Sequence, residues 1–157
     1  MQRRIFLATA TAFGAATAFG FTRPAWAETF EYTLTDAEWR AKLSDLSYSV
    51  LREEDTERAF TSPLDKQTAK GTYHCAGCDL AAFSSDHKYD SGTGWPSFWQ
   101  PLSNAVGTKA DRGLFGSRTE VHCRRCGGHF GHVFDDGPEP TGKRYCMNGA
   151  ALTFKAA

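Results

Sequence analysis

Cys146 is the side chain of this 157-residue sequence best suited to covalent chemistry, because the other four cysteines have an evident alternative use. Cys75-Ala76-Gly77-Cys78 and Cys123-Arg124-Arg125-Cys126 are two C-x-x-C pairs. That spacing lets both sulfurs of a knuckle face one metal, and two knuckles supply the four thiolates of a tetrahedral zinc site. Glycines at Gly77, Gly127 and Gly128 relax the backbone near both turns. The spacing alone also admits two disulfides; zinc is the adopted reading. A closed four-sulfur site has no open position for substrate, so the metal, one zinc per chain, is expected to be structural and to fasten two distant stretches of a small domain. Cys146, within Arg144-Tyr145-Cys146-Met147-Asn148, is then the one thiol free to react.

A thiol attacks as thiolate and needs cationic or hydrogen-bonding neighbours, of which Arg144 is the nearest in sequence. Along a strand, residues two apart share a face, which would bring Arg144, Cys146 and Asn148 to one side of a pocket. Taken alone, the pentapeptide is equally compatible with an inert buried cysteine beside a surface arginine. Upstream, Gly128-His129-Phe130-Gly131-His132-Val133-Phe134 runs into Asp135-Asp136-Gly137-Pro138, placing two histidines three apart and then carboxylates. Histidine can donate a proton to a leaving oxygen near neutral pH, although an isolated pair of this kind also serves in cores and on surfaces. Gly92-Thr93-Gly94-Trp95-Pro96-Ser97-Phe98-Trp99 sets three aromatic rings in a Gly/Pro-rich turn. Such rings can wall a pocket for a small apolar group such as a methyl, or simply pack in a core.

These motifs need a scaffold. Thr35-Asp36-Ala37-Glu38 reads as a capping box opening a helix through about Leu46, with a second short helical stretch over Val50 to Glu54 and a turn from Ser62-Pro63. After Gly71 the segments become short, β-branched or aromatic, and punctuated by glycine and proline. Gly71 to His74, Leu114 to His122, Gly128 to Phe134 and Leu152 to Phe154 are expected to be antiparallel strands. The expected fold is therefore β-rich α+β. There is no internal repeat beyond the two knuckles and no low-complexity tract.

Residues 1–27 read as an export signal rather than part of the fold. Arg3-Arg4 precede an apolar stretch to Phe21, and Ala25-Trp26-Ala27 has the small-x-small pattern of a cleavage site. Adjacent arginines and a run modest in hydrophobicity resemble the twin-arginine class. A retained anchor is the alternative, weakened by Gly14, Gly20 and several threonines in a span barely long enough to cross a bilayer. Cleavage would leave one domain, 28–157, periplasmic or otherwise exported, with no stable membrane association. Zinc loading and folding in the cytoplasm before export would protect four thiolates from an oxidising compartment. Loss of Arg3, Arg4 and Arg23 leaves 15 Lys+Arg against 18 Asp+Glu, a formal charge of −3. That balance argues against a nucleic-acid partner.

Read together and in the order in which they occur here, the two knuckles, Gly-x-Gly-Trp-Pro-Ser-Phe between them, His-x-Gly-His-Val-Phe-x-Asp-Gly-Pro and Arg-Tyr-Cys-x-Asn resemble the B-type peptide-methionine (R)-S-oxide reductases from about Thr35 to Phe154. The resemblance implies a coiled, barrel-like β core of the Mss4-like type. It implies Cys146 as the nucleophile that attacks the sulfoxide sulfur and becomes a sulfenic acid, and Trp95, with Phe98 beside it, as the pocket wall receiving the sulfur-bound methyl. It further implies His129, His132 and Asn148 as groups that orient and polarise the sulfoxide, and Asp136 and Arg144 as polar support. Many members of that family carry a second, resolving cysteine where this chain has Thr93. Reduction of the sulfenic acid directly by an external, thioredoxin-like thiol is thus expected. The implied substrates are oxidised methionine-containing proteins, and the chain is expected to act as a monomer. Two other classes fit less well. A zinc-ribbon binding module would show a basic surface, and a disulfide oxidoreductase would pair its redox cysteines in one C-x-x-C.

Overall fold

The computed structural model describes residues 29–113 and 116–157. The expected export signal lies outside them. Thr35 is the N-cap of the first helix, α1 (Asp36–Lys42), and the capping box is complete: the Thr35 hydroxyl accepts from Glu38 N–H while the Glu38 carboxylate accepts from Thr35 N–H. The helix ends at Leu43, short of the expected Leu46, because Ser44 caps a second helix, α2 (Asp45–Glu53), by accepting from Ser47 N–H. The second helical stretch thus begins five residues before its expected start. Neither helix is long enough to persist alone. Trp39 of α1 and Tyr48, Val50 and Leu51 of α2 are buried and dock the pair onto the rest of the domain. The turn expected after Ser62-Pro63 is present over residues 63–66.

Two antiparallel sheets follow. The smaller is ordered β2 (Ala81–Ser84), β1 (Gly71–Cys75), β9 (Leu152–Ala156). The larger is ordered β3 (Lys88–Tyr89), β4 (Ser97–Phe98), β8 (Arg144–Met147), β7 (His129–Phe134), β6 (Gly116–Cys123), β5 (Val106–Gly113). The expected β-rich α+β class is observed. Expected strands at Gly71, Gly128 and Leu152 correspond to β1, β7 and β9, and most of that expected over Leu114 to His122 is β6. Strand β5 was not expected, since Val-Gly-Thr-Lys-Ala-Asp-Arg-Gly lacks the apolar alternation of a half-buried strand. It forms because β6 offers a continuous eight-residue ladder from Val106–Cys123 to Gly113–Gly116.

Both sheets enclose one core. Phe83 of β2 stacks on Phe98 of β4 with ring centroids 4.4 Å apart, Tyr73 of β1 meets Phe98 edge-on at 5.0 Å, and Val121, Phe130 and Met147 are fully buried beside them. Aromatic pairs at these separations contribute about 0.5–1.5 kcal/mol beyond their area burial. Among the described residues no helix is long and apolar enough to cross a membrane.

Candidate active site and metal centre

The four knuckle cysteines converge at one buried point. Cys75 ends β1 and Cys123 ends β6, while Cys78 and Cys126 lie in the turns that follow. Their ligand atoms all lie within 4.8 Å of one another, with Sγ–Sγ separations of 3.6 Å for Cys75–Cys126 and 3.5 Å for Cys78–Cys123. Tetrahedral zinc with bonds of about 2.3 Å requires sulfurs about 3.8 Å apart, so the residues fit the metal. All four are buried, as suits a closed structural site. The neighbours seal it. The Arg52 guanidinium donates to the Cys126 carbonyl and that of Arg125 to the Cys78 carbonyl, each at 3.1 Å. The Trp39 ring lies so close to Gly77 that an added Cβ would stand 3.3 Å from it. The metal centre therefore ties the small sheet, through β1, to the β6–β7 hairpin of the large one.

Cys146 occupies the middle of the large sheet. Its cross-strand partners are Ser97 on β4 and His132 on β7, and His132 in turn opposes Glu120 on β6. Directly opposed residues of antiparallel strands project to the same side, so Ser97, Cys146, His132 and Glu120 form one row across four strands. Gly131 permits this close approach of β7 and β8. Its φ is +151°, and a Cβ there would lie 2.2 Å from the Cys146 carbonyl oxygen. Above the row opens a pocket of about 130 Å³ lined by residues including Thr56, Trp95, His132, Cys146 and Asn148.

Burial pushes the Cys146 thiol above its ordinary range, opposed by Thr93, Arg144 and Ser97. The Thr93 hydroxyl is 3.8 Å from Sγ and belongs to a hydroxyl chain through Ser91, 2.8 Å away, to Ser97, a further 2.7 Å on. Arg144 is held by Asp136 in a two-pronged pair, both contacts 2.8 Å, and rests over the Phe134 ring at 4.3 Å. The Arg144 hydrogen bonds hold the Asp136 carboxyl below its usual range.

His132 is governed by burial, which lowers its pKa and leaves the ring neutral near pH 7. Its Nε2 lies 2.9 Å from Asp111 Oδ2, and the Asp111 carboxyl is held low by His132 and Arg118. A carboxylate only accepts, so Nε2 carries the proton and Nδ1 is the free acceptor. His129 is buried behind it with ring centroids 5.4 Å apart, and its Nδ1 is 2.8 Å from Glu120 Oε1. Burial opposes ionisation of Glu120, but His129 and Lys109, 3.0 Å away, outweigh it and lower its pKa.

Of the residues singled out in the sequence, Cys146, Trp95, His132 and Asn148 meet at the pocket. Arg144 and Asp136 flank the cysteine. His129 stands one layer back and does not line the pocket wall. Phe98 is not brought there at all: its neighbour Ser97 shares the Cys146 face, so Phe98 projects to the opposite side and is fully buried against Phe83 and Tyr73. Asn148 follows β8 rather than continuing it, and its amide accepts from Glu57 N–H and donates to the Phe130 carbonyl, both at 3.0 Å. Thr56, Asp111, Arg118, Glu120 and Glu57 escaped the sequence reading. None stands in a C/H-rich motif, and their relation to Cys146 exists only through strand register and a returning loop.

The SelR domain family matches residues 43–156. The chain is 50% identical over 127 residues to the peptide methionine sulfoxide reductase MsrB of Leptospira interrogans, covering 80% of this chain and 97% of that one. It is 54% identical over 121 residues to the MsrB of Thiobacillus denitrificans, covering 76% and 92% respectively. For the MsrB of Agrobacterium fabrum the figures are 49% over 122 residues, 77% and 90%. Similarity of this depth spans both knuckles, the Trp95 turn, the β7 histidines and Cys146, and the chain belongs to the SelR-domain family, that of the B-type peptide methionine sulfoxide reductases.

Proposed function

We propose that this protein reduces the R epimer of methionine sulfoxide in oxidised polypeptides, with Cys146 as nucleophile. The observation that carries the reading is a single uncommitted thiol at the floor of a small pocket, between an indole wall and a neutral histidine. The sulfoxide methyl lies against Trp95, and the oxygen faces His132. Sγ bonds to the substrate sulfur as the thiol proton passes to His132 Nδ1 and on to the sulfoxide oxygen. Collapse breaks both the original sulfur–oxygen bond and the newly formed bond between Sγ and the substrate sulfur as the hydroxyl passes to Sγ, releasing methionine and leaving Cys146 as a sulfenic acid, so methionine gains two electrons and the cysteine loses two. Arg144, fixed by Asp136, favours the thiolate during attack. His129 keeps His132 packed in place, and Asn148 holds the chain just beyond Cys146.

Regeneration uses an external thiol. One thiol condenses with the sulfenic acid and releases water, and a second frees Cys146 by disulfide exchange. Thr93 supports this route, because no cysteine stands at the position where many members of the family carry a resolving one. The four zinc ligands hold the sheets together and take no part. The Arg3-Arg4 signal and the Ala25-Trp26-Ala27 site support export, which places repair of exported proteins and a reductant of the same compartment in the biological role.

Incubation with racemic dabsyl-methionine sulfoxide and dithiothreitol, resolved by chiral chromatography, tests the reading. Consumption should stop at half, with only the R epimer lost. Loss of the S epimer, or no reduction by folded, zinc-loaded protein, would overturn it.

A further inference from the structure

Glu57 lies outside the steps just described, yet all three of its polar groups are engaged at the walls of the pocket. Its backbone carbonyl accepts from the Trp95 indole N–H at 3.1 Å, and its backbone N–H donates to Asn148 Oδ1 at 3.0 Å. Its carboxylate accepts from the N–H groups of Gly149 at 2.5 Å and Ala150 at 2.8 Å, the residues that follow Asn148. Glu57 as a whole is 4% exposed, so these contacts are made largely away from water, where each is worth more than at the surface. The loop around it is tailored to both walls. Phe60 N–H donates to the Gly94 carbonyl at 2.8 Å, and Cβ atoms built at Gly94 and Gly149 would collide with Phe60 N and Ser62 Oγ at 2.7 and 1.8 Å. Thr56, next to Glu57, itself lines the pocket.

We infer that Glu57 is a positioning residue for sulfoxide reduction: its carboxylate anchors the loop after α2 to the backbone beyond Cys146, and so holds Trp95 and Asn148 at the separation the substrate requires. The argument is one of linkage. Trp95 comes from the β3–β4 connection and Asn148 from the end of β8. Their side chains meet the same residue, one through its carbonyl and one through its N–H, so neither wall can drift while Glu57 is pinned by Gly149 and Ala150. Preorganisation of this kind is felt as substrate affinity and orientation rather than as loss of the nucleophile. The inference rests on the proposed roles of Cys146 and Trp95.

The test uses Glu57→Gln and Glu57→Ala in the full zinc-loaded chain, each alone and combined with Trp95→Ala. Glutamine keeps the shape but sets an amide N–H₂ against one of the two N–H donors, so it is the milder variant. The expected result is a rise in KM for R-sulfoxide of at least about tenfold for Glu57→Ala and less for Glu57→Gln, with unchanged zinc content and unchanged alkylation of Cys146. The Trp95 contribution to fluorescence, isolated against Trp95→Phe, should shift to the red. In the Trp95→Ala background, Glu57→Ala should add little, because both changes remove one wall. Wild-type KM in folded Glu57→Gln, or losses that multiply fully with Trp95→Ala, would overturn the inference while leaving the assignment of Cys146 intact. Should Glu57→Ala not fold, the glutamine variant decides by the same two measures. Retained turnover in Cys146→Ser would instead overturn the underlying reading.

Discussion

Burial raises the Cys146 thiol above its ordinary range, and the opposing support from Thr93, Arg144 and Ser97 does not cancel that rise, which favours the protonated form in the resting protein. The thiolate fraction therefore climbs about tenfold per pH unit through the alkaline range. Alkylation of Cys146 by iodoacetamide should do the same, without levelling at the pH expected of an exposed cysteine. Arg144→Ala removes an opposing cation, so the thiol should rise further and alkylation at fixed, mildly alkaline pH should slow. A plateau near neutral pH in the free enzyme would contradict this assignment. A second prediction concerns Thr93, whose hydroxyl is 3.8 Å from Sγ. Thr93→Cys should convert the oxidised enzyme from a sulfenic acid to a 93–146 disulfide and speed turnover with a dithiol protein reductant; mass spectrometry of the singly oxidised variant checks it. That Cys146, Trp95 and His132 meet at one pocket was legible through the family resemblance their motifs carry, since taken alone the histidine pair and the aromatic turn also fit core packing. Asp111 and Glu120 were not, because a carboxylate inside a polar strand acquires meaning only from the register that sets it beside a histidine.

The knuckles show how elements carry the site. Cys75 and Cys78 follow β1, Cys123 and Cys126 join β6 to β7, and β7 brings His132 beside Cys146. Metal loss should therefore loosen the β6–β7 hairpin and the row that contains Cys146 and His132 with it. Cys78→Ser should lose one zinc per chain and destabilise the fold by more than about 4 kcal/mol, the range of effects that follow loss of a metal site. Elemental analysis and denaturant titration check this, and a variant that keeps both zinc and stability would contradict it. The capping box and strands β1, β7 and β9 were readable from local pattern. The break at Ser44 was missed because Ser44-x-x-Ser47 is a weaker signal than Thr35-x-x-Glu38, having no second side chain to close the box. Strand β5 was missed because it is held by its partner's hydrogen bonds rather than by an apolar face of its own. Phe98 was misread as a pocket wall for a related reason: alternation along a two-residue strand is decided by which neighbour faces Cys146, and sequence does not say which.

At the scale of the molecule, four buried cysteines suited to a structural metal stand apart from a fifth at the pocket, and the division of labour proposed among the five is the central claim. Two helices cover the knuckles, two sheets enclose an aromatic core, and the loop carrying Glu57 contributes Thr56 to the pocket lining. The export signal proposed for residues 1–27 predicts a mature chain beginning at Glu28, which N-terminal sequencing of the exported protein checks; a start at Met1 in the exported fraction would count against cleavage. The most direct measurement is a single turnover on peptide methionine (R)-sulfoxide without reductant, followed by dimedone labelling and mass spectrometry. One methionine should form per enzyme, with the adduct on Cys146, zinc retained, and neither methionine nor adduct from Cys146→Ser. A disulfide between Cys146 and any of Cys75, Cys78, Cys123 or Cys126, accompanied by zinc release, would contradict the account.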